Sequence, residues 1–300
     1  MNKKILSETN IYMGIDTLQV TSDEESKLTP EQAPYISKIV RIDPDRNTYS
    51  YRLNPDKANK NLQIYNSEDF KEIYSFMILE MGFDEPRITR VDFRIDSFDD
   101  NFEQLMKLNK LLILLLSQTY KLDNRYQSDD PLTLDDLCIR VQNRKLEVEN
   151  YNKGLEEPTG NVMNRLELRT KNISDSQLEI IHTEFEKWCR RLEKAVTKEN
   201  FEKLQETSNF YLVKKYNKAK SDRVTVNEFL YKYSGNVWTR SQLINFFEQI
   251  GCKNPAEKAH SYKRRKKIEY FSFRDLEIYV SKIKKAGFDF FFENSQNCAG

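Results

Sequence analysis

The sequence predicts an α+β fold in which helices cover mainly one face of an antiparallel sheet. Several segments alternate apolar and polar residues as strands do, and the segments between them repeat apolar residues at helical spacing. The 300 residues are 38% hydrophobic and 32% charged, which is typical of a globular protein. No apolar run approaches the roughly 20 residues that cross a bilayer. We therefore expect a cytoplasmic protein with no membrane partner.

The predicted elements of the body follow from local patterns in chain order. Strands are predicted at 11–20, 36–42, 48–53, 87–96, 138–141, 145–152 and 164–170, from alternation and from turn residues between them. Helices are predicted at 67–82, 101–118 and 174–204, from apolar residues at helical spacing. A change of composition predicts a linker near 216–222. The division is therefore a body of residues 1–215 and a small C-terminal domain of residues 222–300.

The C-terminal domain has the pattern of a helix-turn-helix protein. Helices are predicted at 225–233, 239–251, 255–267 and 274–286, with a short strand at 269–273. This order is typical of a helical or winged-helix-like DNA-binding domain. Residues 201–300 carry 19 Lys and Arg against 11 Asp and Glu, which suits a polyanionic partner. The candidate phosphate contacts are Lys263, Arg264, Arg265, Lys266 and Lys267. The alternative is a solvated helix face.

Three strands of the body place polar residues on one face, because alternate residues of a strand point the same way. The rows are Asp92, Arg94 and Asp96; Glu147, Glu149, Tyr151 and Lys153; and Arg165, Glu167 and Arg169. Their other residues are mostly apolar and predict a face turned to the core. The polar face is predicted to be open to solvent or substrate. The alternative is an ordinary solvated face with ion pairs.

The polar rows contain the groups that a phosphodiester-cleaving tyrosine needs. A tyrosine is a poor nucleophile near its usual pKa of about 10, and a metal or a cation such as Lys153 would favour the phenolate. Asp92 and Glu167 could hold a metal that polarises the scissile phosphate. Only two histidines and four widely spaced cysteines are present, which argues against zinc and against a His-hydrophobic-His metal motif. Carboxylate ligands favour Mg²⁺ or Mn²⁺.

Four short segments, in order, resemble the replication initiators of staphylococcal-type rolling-circle plasmids, the Rep_trans family. They are 50–57 with its Asn-Pro turn, the acidic strand 89–96, the tyrosine segment 151–156 and the strand 164–168. The chain is also similar to the relaxases of some conjugative transposons, which belong to the same broad group. The resemblance covers roughly residues 10–200. The acidic residues 147–150 and the part beyond residue 222 depart from the family pattern.

The resemblance implies a nicking domain that is HUH-like without the His motif. Tyr151 would be the nucleophile, and Lys153 and Arg165 would steady the phosphate. The metal ligands would be Asp92 and Glu167 with Glu156 or Asp96. It also implies a homodimer, origin DNA in duplex and single-stranded form, and a host helicase.

The predicted function is metal-dependent, sequence-specific nicking of a plasmid origin, with a covalent tyrosine-DNA intermediate and strand transfer. Two alternatives stay open: a relaxase of an integrative element, and a non-catalytic protein that binds an origin or operator.

Overall fold

A computed structural model describes residues 9–43, 45, 47–98, 102–123, 139–153, 163–233, 237–266 and 270–292. It confirms the α+β class, with one curled seven-stranded antiparallel sheet and helices packed on it. The strands are β1 Asn10–Ser22, β2 Ile36–Asp43, β3 Thr48–Leu53, β4 Arg87–Phe98, β5 Ile139–Gln142, β6 Leu146–Asn152 and β7 Met163–Asp175. Their order across the sheet is β2-β3-β1-β4-β7-β6-β5. Strands β4, β7 and β6, which carry the predicted polar rows, are therefore neighbours.

The described helices lie between the strands and after them. They are α1 Pro55–Ala58, α2 Ser67–Met81, α3 Phe102–Tyr120, α4 Ile180–Ala195, α5 Lys198–Ser221, α6 Val226–Tyr233, α7 Arg240–Gln249, α8 Pro255–Lys266 and α9 Phe273–Phe292. Local sequence sets several ends: the Asn66 side chain accepts a hydrogen bond from the Asp69 amide at the start of α2, and Gly82 ends that helix with φ 75°. In the described part of the chain, no helix combines the length and apolarity that crossing a bilayer requires.

The main core lies on the apolar face of the sheet, beneath α2, α3, α4 and α9. Val91, Phe93 and Ile95 of β4 are buried there together with Trp188 of α4. The alternation of apolar and polar residues in β4 decides this arrangement, because every second side chain points to the helices.

Two helix boundaries differ from the sequence predictions. The single helix predicted at 174–204 is wrong: β7 runs to Asp175, and two helices follow that are separated at Thr197. The Thr197 side chain accepts a hydrogen bond from the Asn200 amide, so Thr197 caps the start of α5. The linker predicted at 216–222 is also wrong, because α5 continues to Ser221.

A second, smaller core joins the end of α5 to helices α6, α7 and α8. Its centre consists of Leu212, Leu230, Leu243 and Phe246. The predicted helices in this region are present, but residues 270–272 are not a strand, so the wing predicted at 269–273 is absent from its described residues.

Helix α9 belongs to the body, although the sequence assigned it to the C-terminal domain. Tyr279, Ile283 and Phe290 of α9 are buried in the main core. The predicted boundary between 1–215 and 222–300 therefore does not follow the packing. The helical unit α6–α8 is instead enclosed in sequence by two helices, α5 and α9, that both contact the main core.

Candidate active site on the polar face of the sheet

Hydrogen-bonded register brings the three predicted polar rows together, because β4, β7 and β6 pair directly. One cross-strand row runs Tyr12, Asp96, Arg165 and Tyr151. The next runs Gly14, Arg94, Glu167, Glu149 and Arg140. A third runs Thr17, Asp92, Arg169, Glu147 and Gln142. These three rows are called the polar face below.

The centre of the polar face is buried, whereas the sequence predicted an open face. At its margins Tyr12 is 39% exposed, and Glu149 and Tyr151 are half-buried. Asp92, Arg94, Asp96, Arg165 and Glu167 are each at most 1% exposed. The sheet is curled, and oppositely charged side chains cover one another across the strands. Alternation predicted correctly which side chains share this face, but it carries no information on what covers them.

The segment that follows β3 covers Arg94. Arg94 forms an ion pair with Asp56 of α1 and donates a hydrogen bond to the Ile64 carbonyl at 3.0 Å. A Cβ on Gly14 would lie 2.6 Å from both Arg94 Nε and the Ile64 oxygen. Glycine is therefore required at position 14 so that this segment can approach the sheet.

Arg165 bridges two acids at the centre of the first row. Its guanidinium donates to both oxygens of Asp96, at 2.7 and 3.0 Å, and to Asp16 Oδ1 at 2.7 Å. Burial alone would raise the pKa of Asp16, but the charges of Arg165 and Arg94 lower it below its usual value. Arg165, which was predicted to contact phosphate, thus donates its hydrogen bonds to two carboxylates.

Tyr151 and Glu167 form the contact with the clearest chemical consequence. The half-buried Tyr151 hydroxyl donates to Glu167 Oε1 at 2.5 Å. Burial, and then the charge of Asp16, raise the pKa of Glu167 to about 7. Burial and the charge of Glu167 also raise the pKa of Tyr151, whereas Arg165, its cross-strand neighbour, acts in the opposite direction. A proton acceptor that titrates near neutral pH is therefore bonded directly to the predicted nucleophile.

Arg169 pairs with acids of both the second and the third row. It forms ion pairs with Glu147, Glu149, Glu167 and Asp92. Asp92 also accepts two hydrogen bonds from Arg90, at 2.5 and 2.6 Å, yet burial raises its pKa. The predicted metal ligands Asp92, Asp96 and Glu167 are therefore each held by an arginine.

The predicted Mg²⁺ or Mn²⁺ site stays a prediction. Among the described residues, no group of three or more His, Cys, Asp or Glu has the geometry to hold a metal. The fourth predicted ligand, Glu156, lies outside the described residues. Lys153 lies next to the site at the end of β6, and its charge contributes to lowering the pKa of Asp16.

The predicted DNA-binding residues lie on or just after α8. The helix runs to Lys266, but the side chains of Lys263, Arg264, Arg265 and Lys266 are outside the described set, as is all of Lys267. Their prediction therefore stays a prediction.

A buried polar chain supports the strand of Tyr151 from the opposite face of the sheet. The Tyr279 hydroxyl of α9 donates to Asn109 Oδ1 at 2.5 Å, and Asn109 Nδ2 donates to Asn150 Oδ1 at 2.9 Å. Asn150 precedes Tyr151 directly and is fully buried. The last helix of the chain thus contacts the candidate site through two asparagines.

Sequence reasoning missed Asp16 and the cover around Asp56 as parts of this site. Alternation from Tyr12 and Gly14 would have placed Asp16 on the polar face. The register of β1 shifts between Ile15 and Thr17, at Asp16 itself. Asp56 lies in the segment 50–57 that the resemblance includes, but no local pattern indicated its contact with Arg94, which arises by tertiary packing.

Comparisons with protein-family models, with curated proteins and with solved structures found no match to this chain.

Proposed function

We propose that the protein cleaves one strand of DNA by attack of Tyr151 on a phosphodiester, forming a covalent link. The observation that carries this proposal is the 2.5 Å hydrogen bond from the Tyr151 hydroxyl to Glu167, a carboxylate whose pKa is raised to about 7. A phenol needs a base to become a nucleophile, and a base is most effective when it titrates near the working pH.

The reaction balances with one proton. Ionised Glu167 takes the phenolic proton, and the Tyr151 oxygen forms a bond to phosphorus while one ester oxygen leaves. Glu167 then returns the proton to the leaving oxygen as a hydroxyl group. Arg165 lies beside Tyr151 in the register and stabilises the phenolate through its positive charge. Because the new bond is itself a phosphodiester, the reverse reaction can rejoin strands, which is strand transfer.

The specific role as initiator of plasmid rolling-circle replication rests on the resemblance of four short segments. Under the same proposal belong origin DNA, a host helicase, a homodimer and phosphate contacts from the basic end of α8. The bound Mg²⁺ or Mn²⁺ also stays a prediction. No step of the proposed reaction runs through it, because the described acids are engaged by arginines. A relaxase of an integrative element would use the same chemistry and differ only in its DNA site.

One observation favours the non-catalytic alternative, a protein that only binds an origin or operator. Every predicted carboxylate of the polar face that the structure describes has an arginine partner, as in an ion-pair network that serves structure alone. The two functions differ in one product, a covalent protein-DNA adduct.

The test compares Tyr151→Phe with Tyr12→Phe, which removes a hydroxyl at the other end of the same row. Each protein is incubated with supercoiled plasmid carrying its own gene region, in Mg²⁺, in Mn²⁺ and in chelator. In Mg²⁺ or Mn²⁺ we expect nicked circles and a tyrosine-linked strand from wild type and Tyr12→Phe, and none from Tyr151→Phe. Nicking by Tyr151→Phe at the wild-type rate would refute the role of Tyr151. Full activity in chelator would refute the metal.

A further inference from the structure

A row of basic side chains crosses the sheet beyond the acids of the polar face. The register places Lys38 opposite Arg52, Arg52 opposite Gln19, Gln19 opposite Arg90, and Arg90 opposite Lys171. Neighbouring strands lie about 4.8 Å apart, so this basic row extends roughly 19 Å from β2 to β7. It contains four cations and no acid.

The members of the basic row differ in how well their charges are neutralised. Arg90 is paired with Asp92, and Lys171 is paired with Glu147. Among the described residues, Lys38 and Arg52 have no carboxylate partner, and the buried Nε of Arg52 has no hydrogen-bond partner. The open end of the row therefore carries two cations that have no ion-pair partner among the described residues.

A cavity of about 180 Å³ lies at that end. It is lined by Gln19, Lys38, Val40, Ile42, Ser50 and Arg52. Burial and then the neighbouring charge of Arg90 lower the pKa of Arg52, so the surroundings disfavour its charge. An anion in the cavity would relieve that repulsion and would satisfy the Nε donor.

We propose that the cavity at Lys38 and Arg52 binds a backbone phosphate of the single DNA strand whose other end reaches Tyr151. This inference rests on the proposed function, since it assigns the path of the same substrate. Along β7, Arg165 and Lys171 are six residues apart, which corresponds to roughly 20 Å between the tyrosine row and the basic row. The subsite would thus hold the strand several nucleotides from the cleaved bond, without regard to base sequence.

The test measures the salt dependence of binding to a fluorescent single-stranded oligonucleotide. Each neutralised phosphate contact contributes about 0.7 to the slope of log K against log salt for single strands. We expect the double variant Lys38→Gln/Arg52→Gln to flatten the slope by about 0.7, the contribution of one phosphate, and each single variant to flatten it by part of that amount. The matched control is Arg41→Gln on the same strand, whose guanidinium lies over the Tyr49 ring away from the cavity.

Several outcomes decide the matter. Slopes in both single variants that equal those of wild type, or an equal loss in Arg41→Gln, would overturn the subsite. Lys38 is exposed, so its variant keeps the test valid if Arg52→Gln does not fold. Stabilisation by inorganic phosphate that these variants lose, with DNA binding unchanged, would instead indicate a small-anion site and overturn the DNA path.

Measuring the salt slope and the covalent adduct separately distinguishes failure of this subsite from failure of the proposed chemistry. Flattened slopes in the cavity variants with no covalent adduct from wild type would support the subsite and refute the nicking reaction. A covalent adduct from wild type, with salt slopes unchanged in the cavity variants, would support the nicking reaction and refute the subsite.

Discussion

Strand β4 presents two rows of side chains to opposite sides of the same sheet. They are Val91, Phe93 and Ile95 on one side and Asp92, Arg94 and Asp96 on the other. All six are at most 1% exposed. Burying an apolar side chain contributes about 1.5–3 kcal/mol, whereas a buried ion pair often contributes nothing beyond an apolar pair of the same volume.

The comparison shows that equal burial does not mean an equal contribution to stability. The apolar row stabilises the fold by removing hydrocarbon from water. The charged row is tolerated in the folded protein only while every ion-pair partner is present, because a single unpaired buried charge lowers the free energy of unfolding. Variants on the two faces can test that difference.

The largest effect is expected from adjacent residues of β7 that face opposite sides. Arg165→Met leaves Asp96 and Asp16 without their main partner and should lower the free energy of unfolding by about 3–5 kcal/mol. Leu166→Ala, on the apolar face, should cost about 2–5 kcal/mol through the cavity it leaves. Urea denaturation measures both.

The pH dependence of these two losses should differ. Arg165 lowers the pKa of Asp16, which burial alone would raise, so the loss of Arg165 favours protonated Asp16 in the folded protein. The deficit of Arg165→Met should therefore shrink between pH 7 and pH 4. The deficit of Leu166→Ala should stay constant, because no titrating group changes its surroundings. If the loss in free energy of unfolding varies with pH in the same way for both variants, the charged and apolar faces do not differ in how they stabilise the fold.

The next effect concerns Glu167, whose pKa is raised to about 7. A carboxyl with a raised pKa stabilises the fold while protonated, and that stability is lost as pH rises from about 4.5 to 7. The loss amounts to roughly 3 kcal/mol for a shift of this size. Glu167→Gln should lack this pH dependence, as measured by unfolding at several pH values.

Glu149→Gln provides the control, since Glu149 is the cross-strand neighbour of Glu167 and its side chain is 24% exposed. Nicking by wild type should rise with pH through about 7 as Glu167 ionises, and Glu167→Gln should nick very slowly at every pH. If Glu167→Gln nicks with the wild-type pH profile, Glu167 is not the base.

The smallest effect is expected at Tyr279, a polar group within the apolar face. Tyr279→Phe removes the hydrogen bond to Asn109 and should cost about 1–3 kcal/mol, because the buried amide loses a partner. It should also slow nicking, since Asn109 holds Asn150 next to Tyr151. The control is Tyr262→Phe, because the buried Tyr262 hydroxyl has no hydrogen-bond partner among the described residues. If Tyr262→Phe slows nicking as much as Tyr279→Phe does, the hydrogen bond from Tyr279 does not act on the candidate site.

The amino-acid sequence by itself determined which side chains share each face. Alternation in β4, β6 and β7 placed Asp92, Tyr151, Arg165 and Glu167 on one side, because successive residues of a strand point in opposite directions. Apolar spacing likewise indicated most of the helices. These signals are local, and each can be recognised within a few residues of the chain.

Only the tertiary structure decided which of those side chains pair with one another and which segments bury them. The order β4-β7-β6 sets Tyr151 beside Arg165 and within 2.5 Å of Glu167, and packing brings Asp56 onto Arg94. It also places α9 in the main core, although α9 follows the helical unit in the chain. Such contacts depend on which apolar surfaces meet over long sequence separations, and residue patterns within single elements do not encode that choice.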